Sequence, residues 1–102
     1  KTIIFNEIKT LSSATNYYLK VNFKNLISEM LNELYNMDIT SIIVEGGAYT
    51  LNKFIDKNIY DEVRVFTTKK LLKKGIKSPI IPDIKKILSK SIDNDLLDIY
   101  IK

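Results

Sequence analysis

The segment 41–53, SIIVEGGAYTLNK, restricts the possible folds of this chain more than any other part of the sequence. Its β-branched run, Ile42-Ile43-Val44, predicts a strand over residues 41–45, and the unbroken apolar character suits a central parallel strand covered on both faces. Glu45 ends this strand, a glycine pair turns the chain, and a helix follows. The order predicts an α/β fold with a ligand site at the carboxyl end of the strand.

The glycine turn has the local chemistry of an anion-binding site. Two adjacent glycines, Gly46 and Gly47, let the backbone approach a ligand closely and adopt a positive φ where this is needed. The free N–H groups at the start of the following helix point at the ligand, and the helix dipole favours a negative charge there. The G-x-G-x-x-G dinucleotide fingerprint is incomplete, so a plain strand-to-helix turn without a ligand remains the alternative.

Three side chains beside the turn have both a functional and a structural interpretation. Glu45 places one carboxylate next to the anion site, at a position where burial would require a compensating partner. Thr50, in the first helical turn, either donates its hydroxyl to a phosphate or is simply a small polar residue. Tyr49 either stacks on a flat ring or covers the core, and we favour the core.

Hydrophobic periodicity predicts the other elements of the chain. A helix is expected over residues 23–36 with Asn22 as its N-cap, and a second helix from Ala48 or Tyr49 to Asp56. The predicted strands are residues 2–5, 17–21, 41–45, 84–92 and 96–101, with the fourth strand along the chain within residues 59–68. Residues 6–16 and 69–83 are predicted loops. In the fourth strand Val63, Val65 and Phe66 are the expected core, and Asp61 is expected to cap a turn or to pair with Arg64.

Helices between strands imply right-handed crossovers and a largely parallel sheet. We therefore predict a mixed sheet, mostly parallel with an antiparallel C-terminal hairpin, flanked by helices. The 102 residues contain no repeat and no linker, which predicts a single domain. The absence of Cys and His excludes disulfides, Cys nucleophiles, Ser-His-Asp triads and His-bearing zinc sites, and no metal site is predicted.

The net charge of +4 comes almost entirely from lysine, and the one dense cluster is Lys69, Lys70, Lys73, Lys74 and Lys77. The simplest interpretation is a solvated loop, and a rim that attracts phosphate is the functional one. Because Arg64 is the only arginine and the tyrosines form no stacking platform, nucleic-acid binding is not expected. No apolar run approaches membrane length, so a soluble, cytoplasmic protein without a membrane partner is expected.

Read as one string, residues 39–76 show several motifs in order: SIIVEGG at 41–47, Phe54-Ile55, Asp61-Glu62, Leu71-Leu72 and Gly75. This string resembles the C-terminal reductase domain of the bifunctional riboflavin-biosynthesis deaminase/reductase. Residues 1–7 and 93–101 are similar to flanking strands of that family. The resemblance implies a dihydrofolate-reductase-like fold, of which residues 1–102 would be a single partial domain, the C-terminal half.

The resemblance also implies a reaction and a set of contacts. The reaction would be the NADPH-dependent reduction of 5-amino-6-(5-phosphoribosylamino)uracil, in which the ribose becomes a ribityl chain. Glu45 would contact this substrate. The residues along the NADPH would be Gly46, Gly47, Ala48, Tyr49, Thr50 and Asn52. No catalytic residue is identified by the resemblance.

Only half of the family domain is covered, so this chain is expected to be inactive by itself. Lys69 and Lys73 also stand where the family commonly has Pro and Gly. The missing strands would leave an unpaired sheet edge, which predicts a homodimer. Two alternatives remain: a dihydrofolate-reductase-like reductase with another substrate, and a non-enzymatic module that binds a polyanion through the lysine cluster.

Overall fold

The computed structural model describes all 102 residues, which divide into two compact units, Lys1–Ile43 and Val44–Lys102. The strands are β1 (Thr2–Asn6), β2 (Leu11–Ser12), β3 (Asn16–Lys20), β4 (Glu62–Thr67), β5 (Lys85–Ile92) and β6 (Asp95–Ile101). The helices are α1 (Leu26–Asn36), which a short 3-10 helix (Phe23–Asn25) precedes, and α2 (Ala48–Asp56). Neither helix combines the length and the apolar character that crossing a membrane requires.

The first unit contains a three-stranded sheet in the order β1-β3-β2 together with α1. β1 and β3 are parallel, and their register places Thr2 opposite Asn16 and Asn6 opposite Lys20. The two-residue β2 is antiparallel to β3. Ile27 and Leu34 are the buried residues of α1, and Val21 is buried directly after β3. The two predicted strands and the predicted helix of this unit are therefore confirmed.

The second unit contains an antiparallel sheet in the order β4-β6-β5 together with α2. β5 and β6 form the predicted C-terminal hairpin around Asp93 and Asn94, and Asp93 has a φ of 50°, as tight hairpin turns require. α2 has the predicted bounds, and Phe54 is its buried residue. After the helix, Asn58 adopts a φ of 56°, a conformation that Asn tolerates well.

The predicted strand over residues 41–45 does not form. The segment has no regular secondary structure, no strand of either sheet pairs with it, and the side chain of Ile43 is 88% exposed. A strand is stable only where a neighbouring strand accepts and donates its backbone hydrogen bonds. The prediction was wrong because a β-branched composition shows that a segment suits a sheet, but it does not provide a neighbouring strand for the segment to pair with.

The prediction of a single, mostly parallel sheet is also wrong. Two separate sheets form, and the pair β1–β3 is the only parallel one. Without a strand between α1 and α2, the expected crossover connections into a common sheet do not arise. What is confirmed is a mixed α/β architecture, while the description of residues 1–102 as one partial domain stays a prediction.

Two smaller differences have local causes. β2 lies inside the predicted loop 6–16, because a two-residue strand has no periodicity that a sequence pattern can show. Phe66 was placed in the core with Val63 and Val65, but it is 64% exposed. Successive residues of a strand point to opposite faces, so Phe66 cannot share the half-buried face of its neighbour Val65.

Candidate functional site

The glycine turn leads directly into α2, and Gly47 is the N-cap of this helix. The carbonyl of Gly47 accepts hydrogen bonds from the N–H groups of Thr50 (3.0 Å) and Leu51 (3.3 Å). Gly47 has a φ of −64° and a ψ of 164°, and no glycine of the chain has a positive φ. The glycines are therefore not required here for a left-handed backbone, and another reason must account for them.

The start of α2 has no cap from a side chain. The N–H groups of Ala48 and Tyr49 take part in no hydrogen bond within the chain. Together with the positive end of the helix dipole, such free donors form the local geometry that binds an anion. The structure thus provides the backbone donors that the sequence predicted at this position.

The other helical start of the chain is closed by its own side chains. The side chain of Asn22 accepts from the N–H of Lys24 (2.9 Å), which confirms its predicted capping role. The carboxylate of Glu29 accepts from the N–H of Asn22 (2.7 Å), and that of Glu7 accepts from the N–H of Phe23 (3.0 Å). Side-chain oxygens occupy three backbone donors here, in contrast to the uncapped start of α2.

The two adjacent glycines differ in the space around them. A Cβ added at Gly46 would lie 3.1 Å from the Cβ of Thr50, closer than most real contacts allow. A Cβ added at Gly47 would meet no atom within 4 Å. Gly46 thus has a packing reason inside the chain, whereas the space beside Gly47 is open.

The side chains of the predicted site are exposed around this turn. Glu45, Thr50 and Asn52 lie on the surface, and Glu45 makes no hydrogen bond or ion pair. Burial of this carboxylate was considered from the sequence and is not observed. Tyr49 is 74% exposed, so its favoured interpretation as a cover of the core is wrong. No observation tests the predicted ligand contacts of these residues, which stay predictions.

Lys53 is a neighbour that the sequence reasoning missed. Its ammonium nitrogen lies 5.2 Å from the centre of the Tyr49 ring, within the range of a cation–π interaction. The signal was present in the sequence, because residues four apart on a helix share a face. Tyr49, Asn52 and Lys53 therefore form one exposed flank of α2, with a cation and an aromatic ring close together.

The other residues that the sequence analysis singled out lie on the surface. Arg64 pairs with Glu62 and not with Asp61, whose carbonyl instead accepts from the N–H of Lys102 (3.1 Å). All five residues of the lysine cluster are exposed and none is in an ion pair. Two cavities of about 460 and 380 Å³ are lined by residues outside the glycine turn.

A partly buried ion pair in the second sheet was not predicted. Asp98, on the central strand β6, is 8% exposed, and its Oδ2 accepts from the Nζ of Lys86 (2.7 Å). Its other oxygen, Oδ1, is buried without a partner. The alternation Leu96, Asp98, Tyr100 places this carboxylate on one face of β6, next to half-buried Val65 of β4. The sequence signal for this ion pair is a charged residue, Asp98, that alternates with the largely apolar Leu96 and Tyr100 along one face of a strand.

This pair makes the stability of the chain depend on pH at both extremes. The hydrogen bond from Lys86 lowers the pKa of Asp98 below its ordinary value of 3.8. The hydrogen bond to Asp98 raises the pKa of Lys86 above 10.5. The pair thus contributes stability between these values, and the contribution is lost as pH falls through the lowered pKa or rises through the raised one.

We expect the free energy of unfolding to fall steeply below about pH 4, where the unfolded chain binds a proton that the folded chain resists. Urea unfolding between neutral pH and about pH 2 measures this dependence. Asp98→Asn should flatten the acid limb of the curve, and Asp56→Asn, at an exposed carboxylate of α2, should leave it unchanged. An equally steep acid limb in Asp98→Asn would contradict the role of this pair.

Comparisons with known proteins identify one family and one similar solved structure. The family model of the RibD C-terminal domain matches residues 2–90. A crystal structure at 2.12 Å resolution of a protein from Shewanella sp. PV-4, provisionally assigned to riboflavin biosynthesis, matches with a TM-score of 0.69 and 14% identity. The match covers 97% of this chain and 58% of that protein, and at this identity it shows a shared fold. No curated protein sequence matches significantly.

Proposed function

This chain belongs to the RibD C-terminal domain family, and we propose that it is part of an NADPH-dependent reductase of riboflavin biosynthesis. The match of the family model over residues 2–90 is the observation that carries the proposal. The likeness in fold to the Shewanella protein supports it, and this chain spans 58% of that protein's length. The complete dihydrofolate-reductase-like arrangement, the activity of the whole protein and a cytoplasmic location are parts of the proposal.

The proposed substrate is 5-amino-6-(5-phosphoribosylamino)uracil, whose ribose becomes a ribityl chain. NADPH, when bound, would supply the hydride for this reduction. The role of this chain would be to bind and orient. The carboxylate of Glu45 is exposed and unpaired, so it can accept hydrogen bonds from hydroxyl groups of the substrate.

The open start of α2 fits a phosphate group of the cofactor. The free N–H groups of Ala48 and Tyr49 would donate to the phosphate oxygens, and the open space beside Gly47 would admit them. Gly46 would let the backbone approach the cofactor closely. The hydroxyl of Thr50 and the amide of Asn52 add donors nearby. The exposed ring of Tyr49 offers a surface for a flat ring.

Titration with NADPH tests this proposal directly. We expect the fluorescence of NADPH to change in a saturable way on addition of the chain, and inorganic pyrophosphate to compete. Salt should weaken binding moderately, since the proposed contacts to phosphate are few. Saturable NADPH binding by this chain, together with no activity on the pyrimidine substrate in the longer protein that contains it, would leave another reductase substrate in place of the proposed one.

A parallel titration with short duplex DNA separates the reductase from a polyanion-binding module. Replacement of the five clustered lysines by Gln should leave the NADPH affinity nearly unchanged, because the proposed site lies at α2. Steeply salt-dependent DNA binding in the absence of NADPH binding would contradict the reductase and indicate the polyanion module. A homodimer is the proposed state of the chain.

A further inference from the structure

The cavity of about 460 Å³ lies where the two parallel strands of the first unit end. Asn6 and Lys20 are opposite one another at the ends of β1 and β3, and Glu7 and Val21 follow them. Cavities that bind small ligands measure roughly 300–1,000 Å³, and in α/β folds such ligands lie at the carboxyl ends of parallel strands. The place and the size of this cavity therefore suit a small molecule. Its lining residues are Glu7, Lys20, Val21, Asn22 and Glu29.

Two carboxylates of this lining are held by backbone donors, and each keeps one oxygen free. Oε1 of Glu7 accepts from the N–H of Phe23 (3.0 Å), and Oε2 of Glu29 accepts from the N–H of Asn22 (2.7 Å). No hydrogen bond or ion pair involves the second oxygen of either carboxylate. Because the two donors belong to adjacent residues, both carboxylates are anchored at the same end of the cavity.

The lining also contains two side-chain donors without partners. The ammonium of Lys20 takes part in no ion pair and no hydrogen bond. The side-chain oxygen of Asn22 accepts from the N–H of Lys24 (2.9 Å), whereas its amide nitrogen donates to no group of the chain. Val21 is the apolar residue of the lining. The cavity thus combines free acceptors and free donors.

We infer that this cavity binds the vicinal hydroxyl groups of a neutral polyol, such as the diol of a ribose ring. A hydroxyl group both donates and accepts, so neighbouring hydroxyls can donate to the free oxygens of Glu7 and Glu29 and accept from Lys20. Two carboxylates repel a phosphate, and no group of three acidic, His or Cys side chains is placed to hold a metal ion. This binding is separate from the proposed reductase function and does not rest on it.

Titration of the unmodified chain with two sugars that differ in one hydroxyl tests this site. Methyl ribofuranoside carries the vicinal diol, and its deoxy counterpart lacks it. Methyl ribofuranoside should shift the amide resonances of Asn22 and Phe23 in a saturable way, because these N–H groups bond to the two carboxylates. So small a ligand makes few contacts, and its dissociation constant should lie in the millimolar range. The deoxy sugar should bind at least about fivefold more weakly.

Two substitutions of the same kind on α1 provide a matched comparison. Glu29→Gln keeps an oxygen that can accept from the N–H of Asn22, but it replaces the free acceptor by an amide donor and removes the charge. It should raise the dissociation constant of methyl ribofuranoside at least about fivefold. Glu33→Gln, on the same helix but outside the lining, should leave this constant unchanged. Unaltered amide resonances away from the cavity show that each variant is folded.

The comparison of the two sugars on the unmodified chain decides the question even if a variant fails to fold. Equal affinities for both sugars, or unmoved resonances of Asn22 and Phe23, would overturn the polyol site. A response of these amides to calcium or guanidinium ions but not to methyl ribofuranoside would identify a cation site and would equally overturn it. NADPH binding is followed by fluorescence, so a failure of the reductase proposal is distinguishable from a failure of this one.

Discussion

Replacement of Gly47 by Val is expected to weaken NADPH binding by at least about tenfold, which corresponds to a loss of about 1.4 kcal/mol. The valine side chain would occupy the open space beside the uncapped start of α2 and would keep a phosphate from the free N–H groups. Inside the chain the new side chain meets no atom, and the φ of −64° suits any residue. Fluorescence titration with NADPH measures the effect.

The stability of this variant is the first control. Valine is a poorer N-cap than glycine, so the free energy of unfolding should fall by no more than about 1 kcal/mol. Gly75→Val is the matched variant, because a Cβ at Gly75 also meets no atom and the residue lies outside the turn. Its NADPH affinity should equal that of the original chain. An unchanged affinity in Gly47→Val would contradict the anion site.

Replacement of Phe54 by Ala is expected to destabilise the second unit by about 3–5 kcal/mol, as large-to-small changes in a core do. Phe54 is 6% exposed and is the one buried residue of α2. Most proteins of this size are stable by only about 5–15 kcal/mol, so such a loss removes much of the folded population. Urea unfolding measures the difference, and NADPH binding should decline with the folded fraction.

Tyr49→Ala on the same helix provides the matched control for this change. Tyr49 is also aromatic but is largely exposed, so its replacement should alter the free energy of unfolding by about 0.5 kcal/mol or less. The comparison separates burial from the removal of an aromatic ring as such. If the two variants lost equal stability, Phe54 would not anchor the helix that carries the proposed site.

The helices and the hairpin were predictable because their signals are local. The apolar stripe of α1 around Ile27 and Leu34 repeats at the helical period, and that of α2 leads to Phe54. The polar turn at Asp93 and Asn94, between two runs of strand-forming residues, predicted the hairpin. In each case the interactions that select the structure lie within a few residues along the chain.

The predicted strand over residues 41–45, which does not form, shows what local sequence signals leave undetermined. Ile42 and Ile43 have the composition of a buried strand, yet both are exposed and the segment pairs with no other strand. Pairing depends on which distant segment supplies the opposite hydrogen bonds, and composition carries no information about that partner. The parallel pair β1–β3 and the antiparallel β4–β6 pair were decided in the same non-local way.

The candidate site was likewise predictable from the sequence only in part. Sequence order placed Glu45, Gly46 and Gly47 immediately before a helix, and motif order related them to a reductase family. The structure showed that Thr50 crowds Gly46 while Gly47 stays open. It also showed that Glu45 is exposed. Both findings depend on side-chain positions that no pattern of residue types specifies.

The sequence by itself determined the family of this chain, both helices, the hairpin and the glycine turn, because short-range periodicity and motif order are written directly in it. Only the tertiary structure decided how the strands pair and that Asp98 is buried against Lys86. These depend on hydrogen bonds and burial between residues far apart in the chain, where many partners compete and residue type alone does not select one.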